Sequence, residues 1–114
     1  MGEVLGRKAR ALQAETAGDM RISWSPEAID DLESIRAYVA EDKPVAARRL
    51  VLRIIHDVEQ QLPNSPSIGR PGRVPGTREF VIVKTPYIVP YRVEGATIQI
   101  LRVYHGARRW PDRF

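Results

Sequence analysis

The stretch that decides the fold is MRISWSPEAIDDLESIRAYVAEDKPVAARRLVLRIIHDVEQQL, residues 20–62. Its first five residues, Met20-Arg21-Ile22-Ser23-Trp24, are short and β-prone, and predict a strand. A helix start follows at once: Ser25 is a capping hydroxyl, Pro26 suits a first helical position, and Glu27 sits near the positive dipole end. Trp24 and Ile29 flank this cap at the spacing of a hydrophobic staple. Ile29, Leu32, Ile35 and Val39 then mark one helical face, with Asp30, Asp31, Glu33 and Arg36 largely off it. Asp42-Lys43-Pro44 interrupts that helix and opens another, because proline fits a first turn and not a helix interior. Ala47, Leu50, Val51, Ile54, Val58 and Leu62 give the second helix a longer apolar stripe. A connection this short predicts an antiparallel helical hairpin.

Downstream, Pro63, Pro66, Pro71 and Pro75 alternate with Gly69, Gly72 and Gly76, which predicts an irregular loop. Three β-rich runs follow at 79–84, 87–93 and 98–104, with turns at Thr85-Pro86 and at Glu94-Gly95-Ala96-Thr97. Pro90 inside the middle run donates no ladder hydrogen bond, which implies a bulge or a locally unpaired position. The resulting order is β-α-α-β-β-β. The fold class is α+β, with a helical hairpin packed on one face of a small, mostly antiparallel sheet. Upstream, residues 1–19 read as an extension to a domain spanning 20–114. They offer only a thin helical face through Val4, Leu5, Ala9 and Leu12, broken by Gly18-Asp19, and Met20 is a plausible alternative start.

At 114 residues the chain has the size of one domain. It has no cysteine, which excludes disulfides, thiolate metal sites and thiol nucleophiles, and suits a reducing cytoplasm. No apolar run is long enough for a membrane span, and Arg7, Lys8 and Arg10 are followed by no secretory apolar block. The charge is unevenly placed. Residues 20–62 hold 6 Lys/Arg against 8 Asp/Glu, whereas residues 63–114 hold 9 against 3. The second half therefore carries the positive field and favours an acidic partner, either nucleic acid or protein, unless it is simply a soluble basic surface.

Among candidate chemical groups, His56 lies mid-helix beside Asp57 and reads as an ordinary helix residue. His105 ends the last expected strand, with Arg102, Arg108 and Arg109 close in sequence and Tyr104 and Trp110 among them. An imidazole among guanidiniums has the composition for general-acid phosphodiester cleavage. The same residues equally suit phosphate contacts with aromatic stacking, or a solvated tail whose Trp110 packs back on the domain. Two distant histidines make no zinc site, and no cofactor is expected. The glycines of the loop lack the lysine and the following helix of a phosphate-binding loop.

From Met20 to Trp110 the chain resembles the RelE/ParE superfamily of type II toxins. The likeness is carried by ISWSPEAIDDLESIRAYVA, SIGRPGRVPGTREFVI, PYIVPYRV and IQILRVYHGARRWP, in that order, and leaves residues 1–19 outside. RelE-like members are ribosome-dependent ribonucleases with an arginine in the middle strand, where this chain has Ile88. His105 falls near a terminal histidine of some such members, and Arg78, Lys84, Arg102 and Arg108 supply charge nearby. ParE-like members are closer: ILRVYHG nearly reproduces their last strand, and that class blocks DNA gyrase by binding. Members known only as plasmid-stabilisation proteins are also similar, with no target implied.

The resemblance implies a cytoplasmic toxin neutralised by a cognate antitoxin, which binds promoter DNA through its own DNA-binding domain. The preferred target is DNA gyrase. The alternatives are the ribosome and mRNA, or a non-toxic binding partner acting as co-repressor. Target binding is then assigned to Arg73, Arg78, Tyr104, Arg109 and Trp110, and antitoxin binding to Ile35, Tyr38, Leu50 and Ile54. His105, Arg102 and Arg108 become catalytic only under the ribonuclease reading.

Overall fold

The structure, a computed structural model, describes residues 20–114; the expected extension and its short helix lie outside the described residues. Strand β1 (Arg21–Trp24) leads into helix α1 (Pro26–Ala40). The cap is as expected: Ser25 Oγ accepts from the Ala28 N–H at 3.0 Å. The same hydroxyl donates to the Leu101 carbonyl at 2.8 Å, so it also fixes the helix start to the sheet. Helix α2 (Pro44–Gln61) follows with no side-chain cap at Lys43, and the two helices pack as a hairpin.

The remaining strands are β2 (Arg70–Pro71), β3 (Arg78–Val81), β4 (Tyr87–Glu94), β5 (Thr97–Ile100) and β6 (Tyr104–His105). The sheet order is β1-β5-β4-β3-β2, with β6 also on β4. Only the β1–β5 pair is parallel. This is the expected α+β architecture with two local corrections. The proline-glycine loop contains the two-residue strand β2, because Arg70 and Pro71 pair with Glu79 and Arg78; Pro71 is tolerated on an edge strand.

The expected last strand, 98–104, is instead two strands. Tyr91 pairs with Ile100 in β5, whereas Ile88 pairs with Tyr104 in β6, so the register slips by one residue between them. That extra residue is a bulge opposite Pro90, whose carbonyl still accepts from the Leu101 N–H at 3.0 Å. Proline thus occupies the ladder position where its missing donor has no strand partner.

Alternation along β4 separates two packed layers. Tyr87, Val89 and Tyr91 face the helices, joining Leu32, Val51, Ile54, Val58, Phe80, Ile98 and Ile100 in the main core. Ile88 and Pro90 point to the other face and are also buried. Tyr91 has a further role. Its hydroxyl donates to the Pro66 carbonyl at 2.7 Å and accepts from the Gly69 N–H at 2.9 Å, which fixes the chain entering β2. Gly69 is required there, since a Cβ would lie 2.7 Å from the Tyr91 ring. Tyr91→Phe leaves the buried Gly69 N–H and the partly buried Pro66 carbonyl without this partner and is expected to lower stability by about 1–3 kcal/mol in urea denaturation.

Candidate functional site

The face of the sheet away from the helices is organised by one buried carboxylate. Glu79 leaves β3 on that face and is 3% exposed. Its Oε1 accepts from Arg70 Nε and Nη2 at 3.1 and 3.0 Å. Its Oε2 accepts from the Arg73 N–H at 2.8 Å and Arg73 Nε at 3.1 Å. Burial alone would raise the Glu79 pKa. The Arg73 backbone N–H and the two guanidiniums outweigh it and hold the carboxyl below its ordinary value. A depressed folded pKa contributes stability above the unfolded value of 4.5, lost as pH falls through the folded value. Thermal melts should therefore drop below about pH 4.5, and Glu79→Gln should weaken that dependence while lowering stability at neutral pH.

From Glu79 the contacts run outward through Arg73. Its guanidinium carbon lies 3.9 Å from the centroid of the Trp110 ring. Trp110 meets Tyr104 edge-on at 5.1 Å, and Tyr104 meets Phe114 at 6.1 Å. Arg108 and Arg102 stand over the Tyr104 ring at 4.2 and 4.7 Å. These are cation–aromatic distances, and they fasten residues 106–114 back onto the domain. A cleft of about 510 Å³ opens among Arg102, Tyr104, Arg108, Arg109, Trp110 and Arg113, also bounded by Pro111 and Phe114.

A second carboxylate anchors the other end of the chain of contacts. Asp31 on α1 accepts from Arg102 Nε and Nη2, both at 2.8 Å, and from the Val103 N–H at 2.9 Å. The bulge exposes that N–H, and Asp31 satisfies it. The hydrogen bonds to Asp31, partly opposed by burial, raise the Arg102 pKa.

Of the residues expected under the ribonuclease reading, Arg102 and Arg108 meet over the Tyr104 ring, and His105 stands apart from them. Tyr87 pairs with His105, and Ile88 with Tyr104, so the two side chains fall on opposite faces. His105 meets the Tyr87 ring at 5.8 Å, and its Nδ1 accepts from the Ala107 N–H at 3.1 Å. Arg108 lies over Tyr104 on the other face, and Arg102 is engaged by Asp31. Ile88 is enclosed, with Cδ1 only 3.1 Å from a Cβ built on Gly106.

Of the residues expected to meet a target, Arg73, Tyr104, Arg109 and Trp110 share the arginine–aromatic face. Tyr104 is its floor, at 2% exposed. Arg78 is elsewhere: its Nη1 donates to the Gly69 carbonyl at 2.8 Å, and it lines a separate pocket with Pro71, Thr77 and Arg92. The residues expected to meet an antitoxin also divide. Tyr38 is 75% exposed, while Ile35 and Leu50 are half-buried against the core. Ile54 is fully buried in the main core, because the α2 stripe it belongs to faces the sheet. Sequence reasoning missed Glu79, Asp31 and Arg70. The only signal for Glu79 was an acid inside a strongly basic segment.

Among the described residues, no cluster of histidines and carboxylates is placed to hold a metal ion, and no helix is long and apolar enough to cross a membrane.

Two helices packed against a mixed sheet are the α+β architecture shared with toxins of the RelE/ParE superfamily. The family model described as "ParE toxin of type II toxin-antitoxin system, parDE" matches residues 22–110, and the chain belongs to that family. The putative toxin Y4kP of Sinorhizobium fredii (strain NBRC 101917 / NGR234) is 44% identical over 92 residues, covering 81% of this chain and 94% of that one. Toxin RelE2 of Caulobacter vibrioides (strain ATCC 19089 / CIP 103742 / CB 15) is 34% identical over 88 residues, covering 77% and 97%. A solved structure of the chromosomal ParDE TA system from P. aeruginosa superposes with a TM-score of 0.68 at 30% identity, covering 78% of this chain and 98% of its own. The chain is a type II toxin, and its membership in such a system gives it a cognate antitoxin as partner.

Proposed function

We propose that this toxin acts in the cytoplasm by binding DNA gyrase and blocking it, not by hydrolysis. The observation that carries the reading is the separation of His105 from the arginines. His105 sits beside Tyr87 on the helix side of the sheet, whereas Arg108 covers Tyr104 on the other. General-acid cleavage of RNA needs a proton donor and phosphate-stabilising cations around the same phosphodiester. Binding needs only a fixed, charged surface, and the face built by Glu79, Arg73, Trp110, Arg108 and Arg109 supports that role. The antitoxin engages the helical hairpin through Tyr38, Ile35 and Leu50, contacts promoter DNA through its own domain, and folds on binding. Retention of a plasmid is the physiological outcome such a pair would serve.

A second reading, cleavage of mRNA on the ribosome, draws support from the relative named RelE2. Tightly controlled expression separates the two. Relaxation of plasmid supercoiling with intact transcripts is expected. Codon-positioned mRNA cuts without loss of supercoiling, abolished by His105→Ala, would overturn the binding reading.

A further inference from the structure

We propose that the arginine–aromatic cleft binds single-stranded DNA directly, through phosphate contacts and a stacked base. This rests on the reading of the chain as a gyrase inhibitor, and it names what the face grips in that setting: DNA that the enzyme holds, in addition to protein.

The cleft has one kind of cation. All four charged side chains of its lining are arginines, Arg102, Arg108, Arg109 and Arg113, with no lysine and no acid among them. Asp112, the only acid of the tail, lies outside that lining. Asp31 neutralises Arg102, whereas Arg108, Arg109 and Arg113 are exposed and make no ion pair among the described residues. A guanidinium can lay its flat face on a ring and still offer an N–H fork to two phosphate oxygens. Arg108 already has the ring of Tyr104 against it, which leaves its edge for an anion.

The rings differ in access. Tyr104 is buried and serves as the floor, and Arg73 covers one face of the half-buried Trp110. Phe114 is 39% exposed and forms the open platform, within reach of the same cations. Aromatic platforms set in a groove of free cations are what a single strand uses, because its bases are available to stack. Duplex DNA fits less well, since its bases stack on one another out of reach of a ring. RNA gains no extra contact, because the lining holds no carboxylate or amide side chain to read a 2′-hydroxyl. His105 also lies outside the lining, so the strand is held and not cut.

The test is the fluorescence anisotropy of a labelled single-stranded deoxyoligonucleotide titrated with the toxin over a series of salt concentrations. Arg109→Glu with Arg113→Glu is expected to weaken binding at least about tenfold and to flatten its salt dependence, since each phosphate contact adds to that slope. Phe114→Ala is expected to weaken binding at least about fivefold with the salt slope kept. Arg48→Glu with Arg49→Glu removes the same charge from exposed positions of α2, on the other side of the sheet, and at physiological salt should stay within about twofold of the parent. No binding, an equal loss in the α2 pair, or no loss in Phe114→Ala would overturn the proposal. So would an RNA or a duplex of the same sequence bound at least about tenfold more tightly.

Thermal melts show whether each variant is folded. Should one melt early, unaltered toxin is crosslinked by ultraviolet light to an oligonucleotide carrying bromodeoxyuridine. Adducts at Trp110 or Phe114 uphold the cleft, and adducts only at other aromatic residues overturn it. The gyrase reading is judged apart from this one. Toxin that binds the strand but leaves supercoiling untouched keeps the site and loses that function; toxin that blocks supercoiling without binding the strand does the reverse.

Discussion

Ile54→Ala is expected to destabilise the toxin by about 2–5 kcal/mol, through lost burial and the cavity left behind. Ile54 is fully buried among α2, α1 and the sheet, with Val51, Ile55 and Val58 beside it on the packed side of the helix. The main-chain ladder holds the strands opposite in place, so the cavity closes only as far as side-chain rotation allows. Unfolding in urea at neutral pH gives the number directly. The variant is also expected to lose antitoxin affinity only in proportion to its unfolded fraction. Folded Ile54→Ala that bound antitoxin much more weakly than its stability explains would return Ile54 to the interface.

Asp31→Ala should cost about 3 kcal/mol, roughly 15 °C in Tm for a domain of this size. The substitution removes both bonds to Arg102 and strands the Val103 N–H that the bulge leaves without a strand partner. Arg102 is only 27% exposed, so its guanidinium recovers little water. Asp31→Asn keeps an acceptor for the Val103 N–H and should fall between the two. The effect reaches further than the helix. Arg102 covers one side of Tyr104, and Tyr104 is the floor of the arginine–aromatic face. Target inhibition should weaken more than antitoxin binding, because the hairpin's outer face is untouched.

Local signals in the chain explain most of the architecture. Ser25-Pro26 announced α1 by a capping hydroxyl next to a proline, and the hydroxyl is bonded to the expected amide. Gly95-Ala96 turned the β4–β5 hairpin, with Gly95 at φ 58°. Pro90 signalled a bulge or an unpaired position, and the bulge lies in the strand opposite it.

What sequence left hidden depended on distant parts of the chain. Asp31 looked like solvent-facing charge because helical periodicity places it off the apolar stripe; its partner is 71 residues away. Glu79 is buried where Arg70 of β2 and Arg73 of the following loop fold over it. Ile54 and Leu50 look alike as members of one stripe, yet the sheet encloses the first and only half covers the second. The hairpin's mild net acidity likewise concealed that its charges are sorted, with acids along α1 and the cations Lys43, Arg48, Arg49 and Arg53 from the cap of α2 to its middle. His105 drew attention for its company in sequence, which strand alternation then divided between two faces.

The central claim, inhibition by binding through the arginine–aromatic face, is tested most directly with purified gyrase and relaxed plasmid. The toxin is expected to block ATP-dependent supercoiling, antitoxin to restore it, and Trp110→Ala with Arg109→Glu to raise the inhibitory concentration at least about tenfold while antitoxin affinity holds. Undiminished supercoiling at a large excess of folded toxin, with the same preparation cutting mRNA on translating ribosomes, would contradict it.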